Sequence, residues 1–250
     1  MNITGNTILI TGGGSGIGRA LAEALLARGN RVIITGRRED ALKQTVAANP
    51  GMAFATLDIT DPTAIKAFAA KVVHDHPALN VVINNAGIMK VEDLKAEAFD
   101  MDTVETTVVT NLLGPIRLTA ALLPHLRAQA AATVMTVSSG LAFVPLAATP
   151  TYCATKAAIH SWSQSLRRQL ADTSVEVLEL APPAVATDLM PGHAQNPRSM
   201  PLADYTAEVI DLIERKDTPQ GEILVERVKP LRFAEAHGYK VVFDMLNGTH

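Results

Sequence analysis

The amino-acid sequence predicts an α/β fold, a doubly wound parallel sheet of about seven strands with helices on both faces. Short apolar, β-rich runs alternate with longer helical patterns along the 250 residues. The runs are almost continuously apolar, as strands are when helices cover both faces of a parallel sheet. Right-handed βαβ crossovers join such strands into one sheet. We therefore expect a single domain over residues 1–250.

Strands and helices are expected to alternate in order along the chain. Asp61 suits the N-cap of the third helix and Pro62 its first position, and apolar residues then recur at helical spacing. The predicted strands are Thr7–Thr11, Arg31–Thr35, Ala53–Asp58, Val81–Asn84, Thr133–Val137, Val175–Leu180 and Glu222–Val225. The predicted helices are Gly16–Arg28, Glu39–Ala48, Pro62–His76, Thr103–Ala130, Ala154–Leu170 and Ala203–Lys216.

One long connection has the composition of a loop. The segment Ala181–Pro201 contains five prolines and precedes the last predicted helix. A long irregular connection inside a compact domain is usually a lid or a binding loop. We expect a substrate loop or lid at about residues 181–203, with a plain surface excursion as the alternative.

The overall composition excludes several classes of protein. Hydrophobic residues make up 48% of the chain and charged residues 19%, which is too apolar for an intrinsically disordered protein. The formal net charge is -3 and aromatic residues make up 4%. Neither value favours a nucleic-acid partner, whether through phosphate attraction or through base stacking.

Cysteine, apolar runs and histidine spacing give three further expectations. The single cysteine, Cys153, cannot form an internal disulfide, which favours a reducing compartment and hence the cytoplasm. No run approaches the ~20 apolar residues of a membrane span, and the N-terminal residues do not resemble a secretory signal. His74 and His76 lie on different faces of a predicted helix without an evident third ligand, so no metal site is expected.

A glycine-rich turn follows the first predicted strand directly. Glycines let the backbone approach a pyrophosphate, and a helix N-terminus offers free N–H groups and a favourable dipole. The alternative is a glycine turn with a structural role alone. The strand–turn–helix context favours dinucleotide binding in a Rossmann-type fold. The predicted contacts are Gly12, Gly14, Ser15, Gly16, Ile17 and Gly18.

The end of the second strand bears on the choice of dinucleotide. NAD sites usually carry an acidic residue here, which binds the ribose 2′-hydroxyl. This chain has Arg37 and Arg38 instead. Arginine pairs well with a 2′-phosphate, so NADP(H) is predicted over NAD(H). The alternative is a solvated cationic pair at the start of a helix.

An ordered set of motifs resembles the classical short-chain dehydrogenase/reductase family over nearly the whole chain. The set comprises Thr11-Gly12-x-x-x-Gly16-x-Gly18, Asn84-Asn85-Ala86-Gly87, Asn111, Ser139 and Tyr152-x-x-x-Lys156. The resemblance implies a nicotinamide-dependent oxidoreductase that acts on a ketone or a secondary alcohol. It also implies a homodimer or homotetramer, formed through the helices that contain Asn111 and Tyr152.

Tyr152 and Lys156 are four residues apart and therefore share one helix face. A phenol with an ordinary pKa of ~10 is a poor acid–base catalyst at neutral pH. A nearby ammonium and the positive nicotinamide of an oxidised cofactor favour the phenolate. The resemblance implies that Tyr152 transfers the proton and that Lys156 tunes it and binds the nicotinamide ribose. An ordinary helix-surface pair is the alternative.

Ser139 and Asn111 complete the implied catalytic set. Ser139 follows a strand at the carboxyl edge of the sheet, where its hydroxyl can bind the substrate carbonyl oxygen. Ser138 is the rival, but the family spacing to the tyrosine favours Ser139. In the family, the residue matching Asn111 bends its helix and carries a water in the proton relay; a solvated Asn is the alternative.

The resemblance also implies cofactor contacts further along the chain. The family's Pro-Gly-x-Val-x-Thr motif is altered, because Pro183 replaces the glycine, fixes φ and removes an N–H in the loop expected beside the nicotinamide. The Pro182-Pro183 pair and the stretch Gly221–Val225 resemble a subgroup of oxidoreductases associated with D-alanine esterification of teichoic acid. The implied contacts are Asp58, Ile59, Asn85, Ala86, Gly87, Val185 and Thr187, together with Tyr152 and Lys156.

The sequence thus predicts an NADP(H)-dependent oxidoreductase with a small-molecule substrate. The substrate pocket is expected from Leu141–Ala148, from the 181–201 loop and from the tail after Phe233, and its apolar residues favour an apolar or aromatic ketone. One alternative is a non-catalytic NADP(H)-binding sensor or scaffold on the same fold. Another is non-redox chemistry, such as that of a dehalogenase or an epimerase.

Overall fold

The strands form one parallel sheet, as predicted, in a computed structural model that describes residues 1–248. The predicted domain runs to residue 250, and its last two positions, 249–250, lie outside the described residues. The strands are β1 (Thr7–Thr11), β2 (Arg31–Gly36), β3 (Ala53–Thr56), β4 (Leu79–Asn84), β5 (Ala132–Val137), β6 (Val175–Leu180) and β7 (Glu222–Ile223).

The sheet has the doubly wound strand order. Neighbouring strands follow the order β3-β2-β1-β4-β5-β6-β7, and every pair is parallel. The chain therefore reverses its direction of travel across the sheet between β1 and β4. Ligands bind beyond the carboxyl ends of the strands at such a switch point.

Helices lie on both faces of the sheet, so that the strands are buried on both sides. On one face, Ile8 and Ile34 pack in an apolar layer with residues of the helices Gly16–Leu26 and Leu202–Glu214. On the other face, Leu9 and Val134 pack with residues of the helices Pro62–Asp75, Gly114–Arg127 and Pro150–Gln169. The helices are α1 (Gly16–Leu26), α2 (Glu39–Ala48), α3 (Pro62–Asp75), α4 (Met101–Val108), α5 (Gly114–Arg127), α6 (Pro150–Gln169), α7 (Leu202–Glu214), α8 (Lys229–Arg232), α9 (Ala234–His237) and α10 (Tyr239–Asn247).

Two predicted strands are longer than the observed ones. The third strand ends at Thr56 rather than Asp58, although Leu57 N–H still donates to the carbonyl of Gly36. The last strand ends at Ile223 rather than Val225. Both strands lie at the edges of the sheet. An edge strand is hydrogen-bonded on one side only, so its end leaves the sheet more readily. Leu224 and Val225 remain buried, because the apolar run continues into the core after it leaves the sheet.

The structure also corrects two helices. The helix that carries Tyr152 begins at Pro150, four residues before the predicted start, so Tyr152 lies in its first turn. The predicted helix over 103–130 consists of α4 and α5 joined by a π-helical turn, Val109–Leu113. The three helices of the C-terminal tail, residues 229–247, were not predicted.

The continuous helical stretch Met101–Arg127 is long and apolar enough to cross a membrane by length and composition. This finding differs from the expectation that no stretch approaches a membrane span. Leu118, Leu122 and Leu126 of this stretch are fully buried in the apolar layer beneath the sheet. Burial of this kind is typical of a core helix.

Candidate active site

A cavity of about 700 Å³ lies at the carboxyl ends of the strands, around the switch point between β1 and β4. It runs from the glycine turn and the end of β2 to Tyr152 on α6 and to the tail. The structure brings most of the predicted site residues together on its wall. These are Gly12, Gly14, Ser15, Gly16, Ile17, Arg37, Arg38, Ile59, Asn85, Ala86, Gly87, Ser139, Tyr152, Lys156, Val185 and Thr187.

Three predicted residues are not on the cavity wall: Gly18, Asp58 and Asn111. A Cβ at Gly18 would lie 2.4 Å from both the Asn85 Nδ2 and the carbonyl oxygen of Gly12. This glycine therefore permits the close packing of α1 against the sheet rather than contact with a ligand.

Asp58 lies beside the cavity and makes local hydrogen bonds. Its Oδ1 accepts from the backbone N–H of Thr60 at 2.9 Å and from the Thr60 hydroxyl at 2.7 Å. Partial burial raises the pKa of Asp58, but these bonds and the Arg37 charge outweigh burial and the pKa is lowered overall. Asp58 is thus held as a carboxylate next to the residues at the end of β2.

The N-terminus of α1 has the properties of an anion site. Ser15 is the N-cap, but its side chain makes no capping hydrogen bond, and the first turn of α1 has no acidic residue. The first N–H groups of a helix have no partner within the helix, and here they open onto the cavity. Arg38 adds positive charge, since its Nη2 donates to the Ser15 hydroxyl at 3.1 Å. These groups fit the phosphates of a dinucleotide.

The floor beneath this turn is held by hydrogen bonds between β1 and the end of β4. The Thr11 hydroxyl accepts from the N–H groups of Asn85 and Ala86, each at 3.0 Å. Asn85 Nδ2 donates in return to the carbonyl of Thr11 at 2.9 Å. Gly12 has a φ of 69°, and a Cβ there would lie 2.9 Å from the same amide nitrogen. The glycine and the asparagine therefore fix each other's position.

Tyr152, Lys156 and Ser139 lie together at the inner end of the cavity, and all three are buried. Lys156 Nζ is 5.6 Å from the centre of the Tyr152 ring and donates to the carbonyl of Val137 at 2.7 Å. Ser139 Oγ accepts from the N–H of Leu141 at 3.1 Å, which aims the hydroxyl at the turn that follows β5. The arrangement places a phenol, an ammonium and a hydroxyl around one point.

Burial perturbs both titrating groups of this set. Burial raises the pKa of Tyr152 to about 12, and the Ser139 side chain lowers it by a smaller amount. Burial lowers the pKa of Lys156 to about 8, and the charge of Glu179 raises it in part. In the free chain the phenol is therefore protonated at neutral pH. The lowering of the tyrosine pKa that the sequence analysis expects is not produced by the protein alone.

Asn111 lies in the middle of the π-helical turn between α4 and α5. Its Oδ1 accepts from Ile88 N–H at 2.9 Å, and its Nδ2 donates to the carbonyl of Ile88 at 2.8 Å and to the Thr155 hydroxyl at 3.3 Å. Such single π turns occur often at functional sites. Asn111 thus links the segment after β4 to the helix that carries Tyr152.

The altered loop after β6 keeps Thr187 near the glycine turn. A Cβ at Gly16 would lie 3.5 Å from the Thr187 methyl group. The carbonyl of Pro182 accepts from Gly140 N–H at 2.8 Å, and Pro183 lines the cavity. With Pro183 in place of the family glycine, Thr187 therefore still lies on the cavity wall beside the glycine turn.

Sequence reasoning missed several residues of the cavity wall. Leu141, Leu146 and Leu189 were anticipated, but others come from segments with no recognisable motif. Met89 packs with Tyr152, a contact that no pattern in the sequence indicates. Asp188, His193 and Leu246 lie in the segments expected to form the pocket, whereas the residues that were missed are Ile88, Met89, Lys90 and Leu231.

A model of the short chain dehydrogenase family matches residues 6–197 of this chain. The chain is 41% identical over 251 residues to the oxidoreductase DltE of Bacillus subtilis (strain 168), covering 99% of this chain and 98% of DltE. It is 31% identical over 214 residues to the 3-oxoacyl-(acyl-carrier-protein) reductase FabG of Escherichia coli (strain K12), covering 83% of this chain and 84% of FabG.

Solved structures share the fold. A short-chain dehydrogenase from Streptomyces avermitilis has a TM-score of 0.82 at 28% identity and covers 96% of each chain. A short chain dehydrogenase from Burkholderia cenocepacia J2315 in complex with NADP has a TM-score of 0.84 at 23% identity, covering 98% of this chain and 99% of the other. One from Burkholderia phymatum in complex with NAD has a TM-score of 0.81 at 21% identity, covering 100% and 98%.

Proposed function

The chain belongs to the short-chain dehydrogenase family, and from that premise we propose that it is an NADP(H)-dependent oxidoreductase that interconverts a ketone and a secondary alcohol. The observation that carries the proposal is one continuous cavity with two chemically different ends. One end has an uncapped helix N-terminus and two arginines, and the other has Tyr152, Lys156 and Ser139. The first end suits phosphates, and the second suits a polar reaction at a carbonyl.

In this proposal the catalytic residues have separate tasks. The nicotinamide supplies the redox chemistry when it is bound. Ser139 orients the substrate oxygen, and Tyr152 gives a proton to that oxygen in reduction or takes it in oxidation. Lys156 stabilises the phenolate and binds the ribose hydroxyls. Asn111 holds the segment at Ile88 and carries the water that supplies protons to Lys156.

The preference for NADP(H) over NAD(H) rests on Arg37 and Arg38. Both side chains are exposed at the cavity wall at the end of β2, where a ribose 2′-phosphate would lie. Arginine there attracts a phosphate and offers no acceptor for a ribose hydroxyl. Solved structures of the same fold hold NADP in one case and NAD in another. The proposed preference for NADP(H) therefore rests on the two arginines of this chain alone.

The proposed substrate is an apolar ketone or alcohol, because the catalytic end of the cavity is lined by Leu141, Leu146 and Leu189. Residues 181–203 would act as its lid. Assembly as a homodimer or homotetramer and a cytoplasmic location belong to the same proposal. The likeness to DltE supports the subgroup expected from Pro182-Pro183.

The test is an activity panel of varied ketones and alcohols with NADPH and with NADH. Tyr152→Phe should abolish turnover and leave the Kd for NADPH within a factor of about two, because only the proton-transfer hydroxyl is removed. Full activity of this variant would contradict the mechanism. Tight NADPH binding without turnover of any substrate by the wild type would instead support a non-catalytic sensor.

Cofactor choice has its own test. The double variant Arg37→Ala/Arg38→Ala should lower the NADPH-to-NADH ratio of kcat/KM by a factor of about 10² or more, since each charge-assisted bond to a phosphate contributes roughly 1.5–3 kcal/mol. Arg215→Ala, at the end of α7, removes an exposed arginine away from the cavity wall and serves as the matched control. An unchanged ratio in the double variant would contradict the assignment.

A further inference from the structure

Two buried carboxylates lie side by side at the β7 edge of the sheet. Glu179 on β6 and Glu222 on β7 are paired in register, and their residues are 0% and 4% exposed. Like charges next to each other on a sheet face are unfavourable, and burial increases their cost. The fold must therefore provide positive partners at this point.

Arg232 of the C-terminal tail is the partner of Glu222. Its Nε donates to Oε2 at 2.6 Å and its Nη2 to Oε1 at 3.0 Å, which is a bidentate pair. Glu179 in turn lies against His160, whose Nδ1 is 2.9 Å and 3.0 Å from the two carboxylate oxygens. His160 is one helical turn after Lys156 on α6. The four side chains thus join the sheet edge, the catalytic helix and the tail.

The same guanidinium also contacts the segment that follows Ser139. Arg232 lies over the ring of Phe143 at 4.8 Å, and that ring packs edge-on against His160 at 4.8 Å. Next to it, Gly140 permits a close approach of the tail, because a Cβ there would lie 2.7 Å from Leu231 Cδ1. Arg232 therefore holds Leu231 against the turn that carries the catalytic hydroxyl.

The held tail forms part of the cavity wall. Leu231 and Leu246 line the cavity, and Asn247 fixes the far end of the tail. Asn247 Oδ1 accepts from Ala147 N–H at 2.6 Å, and its Nδ2 donates to the carbonyl of Pro145 at 3.1 Å. Between these two attachments α10 is open to solvent, with Met245 80% exposed. Arg232 is accordingly the attachment next to Leu231, which packs on the residue that follows Ser139.

We propose that Arg232 is a positioning residue for substrate recognition: paired with Glu222, it holds the tail 229–247 so that Leu231 contacts an apolar group of the substrate. The substrate part of this inference rests on the proposed function. His160, Glu179 and Glu222 also have ligand atoms within 4.8 Å of one another, a spacing suited to a metal ion. Arg232 already binds both oxygens of Glu222 and supplies the positive charge there.

Steady-state kinetics of Arg232→Ala test the role in recognition, with the best ketone of the activity panel as substrate. KM for this ketone should rise about tenfold, and the Kd for NADPH should change less than twofold, because no residue of the tail 229–247 is among the nearest neighbours of Gly12, Gly14 or Gly16. Lys229→Ala is the matched control, since Lys229 on the same helix pairs with Glu226 at the surface, and its KM should not change. An unchanged KM for Arg232→Ala would overturn the proposal.

A second variant covers the case in which Arg232→Ala does not fold, since breaking a buried ion pair is strongly destabilising. Leu231→Ala keeps the ion pair between Arg232 and Glu222 and removes only the Leu231 side chain that lines the cavity. It should raise KM for the same ketone while leaving the Kd for NADPH unchanged. Equal KM values for Leu231→Ala and the wild type would overturn the contact with the substrate.

Hydrogen exchange separates this inference from the proposed function, because it needs no turnover. In Arg232→Ala, or in the milder Glu222→Gln, peptides covering 140–147 and 229–247 should exchange faster, and those covering 7–38 should not. Unchanged exchange in the first two segments would overturn the proposal even if the enzyme is active. If adding EDTA to the wild type makes segments 140–147 and 229–247 exchange faster, a metal and not Arg232 holds the cluster of His160, Glu179 and Glu222.

Discussion

Replacing Lys156 by methionine should make the protein more stable while it abolishes turnover. Burial lowers the pKa of Lys156 from 10.5 to about 8. That difference corresponds to about 3 kcal/mol of unfolding free energy lost at pH 7 by keeping the ammonium charged in the interior. Methionine has a similar volume and no charge. It leaves the carbonyl of Val137 without its 2.7 Å partner, which costs about 1 kcal/mol.

The net gain at pH 7 is therefore about 2 kcal/mol, or roughly 4–8 °C in Tm for a chain of this size. The gain depends on pH with a definite sign. Between about pH 8 and 10.5 the unfolded chain keeps a proton on Lys156 that the folded chain has lost, so the wild type gains stability as the pH rises. The difference between Lys156→Met and the wild type should accordingly shrink over this range.

Urea denaturation of the cofactor-free proteins at pH 7, 8, 9 and 10 measures this difference directly. Lys66→Met, on the exposed face of α3, serves as the control and should stay within about 0.5 kcal/mol of the wild type. A Lys156→Met protein that is less stable than the wild type at pH 7 would refute the reasoning. So would a difference that stays constant from pH 7 to 10.

Three further predictions concern single side chains. Gly18→Ala should lower the unfolding free energy by about 1–3 kcal/mol in urea denaturation through overpacking, although alanine is ordinarily the better helix former. Gly36→Ala is the control, because its Cβ would meet no atom closer than 3.7 Å, and equal unfolding free energies of the two variants would contradict the prediction. Asn111→Ala should lower both Tm and kcat, because it leaves the N–H and the carbonyl of Ile88 unpaired at roughly 1–3 kcal/mol each. Asn111→Asp should recover part of the lost Tm and kcat, because its carboxylate still accepts from the Ile88 N–H. Burial raises the pKa of the Cys153 thiol, so a colorimetric thiol reagent should label it only as the protein unfolds; complete labelling of the native protein within seconds would exclude an inert buried thiol.

The alternation of strands and helices could be predicted because it depends on local apolar patterns. The glycine turn and the Tyr152–Lys156 pair could be predicted for the same reason, since each is a short motif on one element. The start of α6 was within reach as well, because Pro150 suits the first position of a helix.

Other features depend on which strands become neighbours, and sequence spacing does not contain that information. Glu179 and Glu222 are 43 positions apart in number and meet only because β7 pairs with β6. Leu231 reaches the cavity through a tail without a motif. Gly18 shows a different limit, because a glycine required for helix packing and one required for ligand approach look alike in a sequence.

The reversal of strand order between β1 and β4 also separates two groups of cavity residues along the sequence, which is useful for protein engineering. The phosphate turn, Arg37 and Arg38 all precede residue 90, whereas Ser139, Tyr152 and the tail all follow residue 131. The exposed connection after α5, at residues 128–131, is therefore a natural point for recombination. Under the proposed function, a chimera joined there would take Arg37 and Arg38 from one parent and Ser139, Tyr152 and the tail from the other, while Met89 at the catalytic end would stay with the first parent.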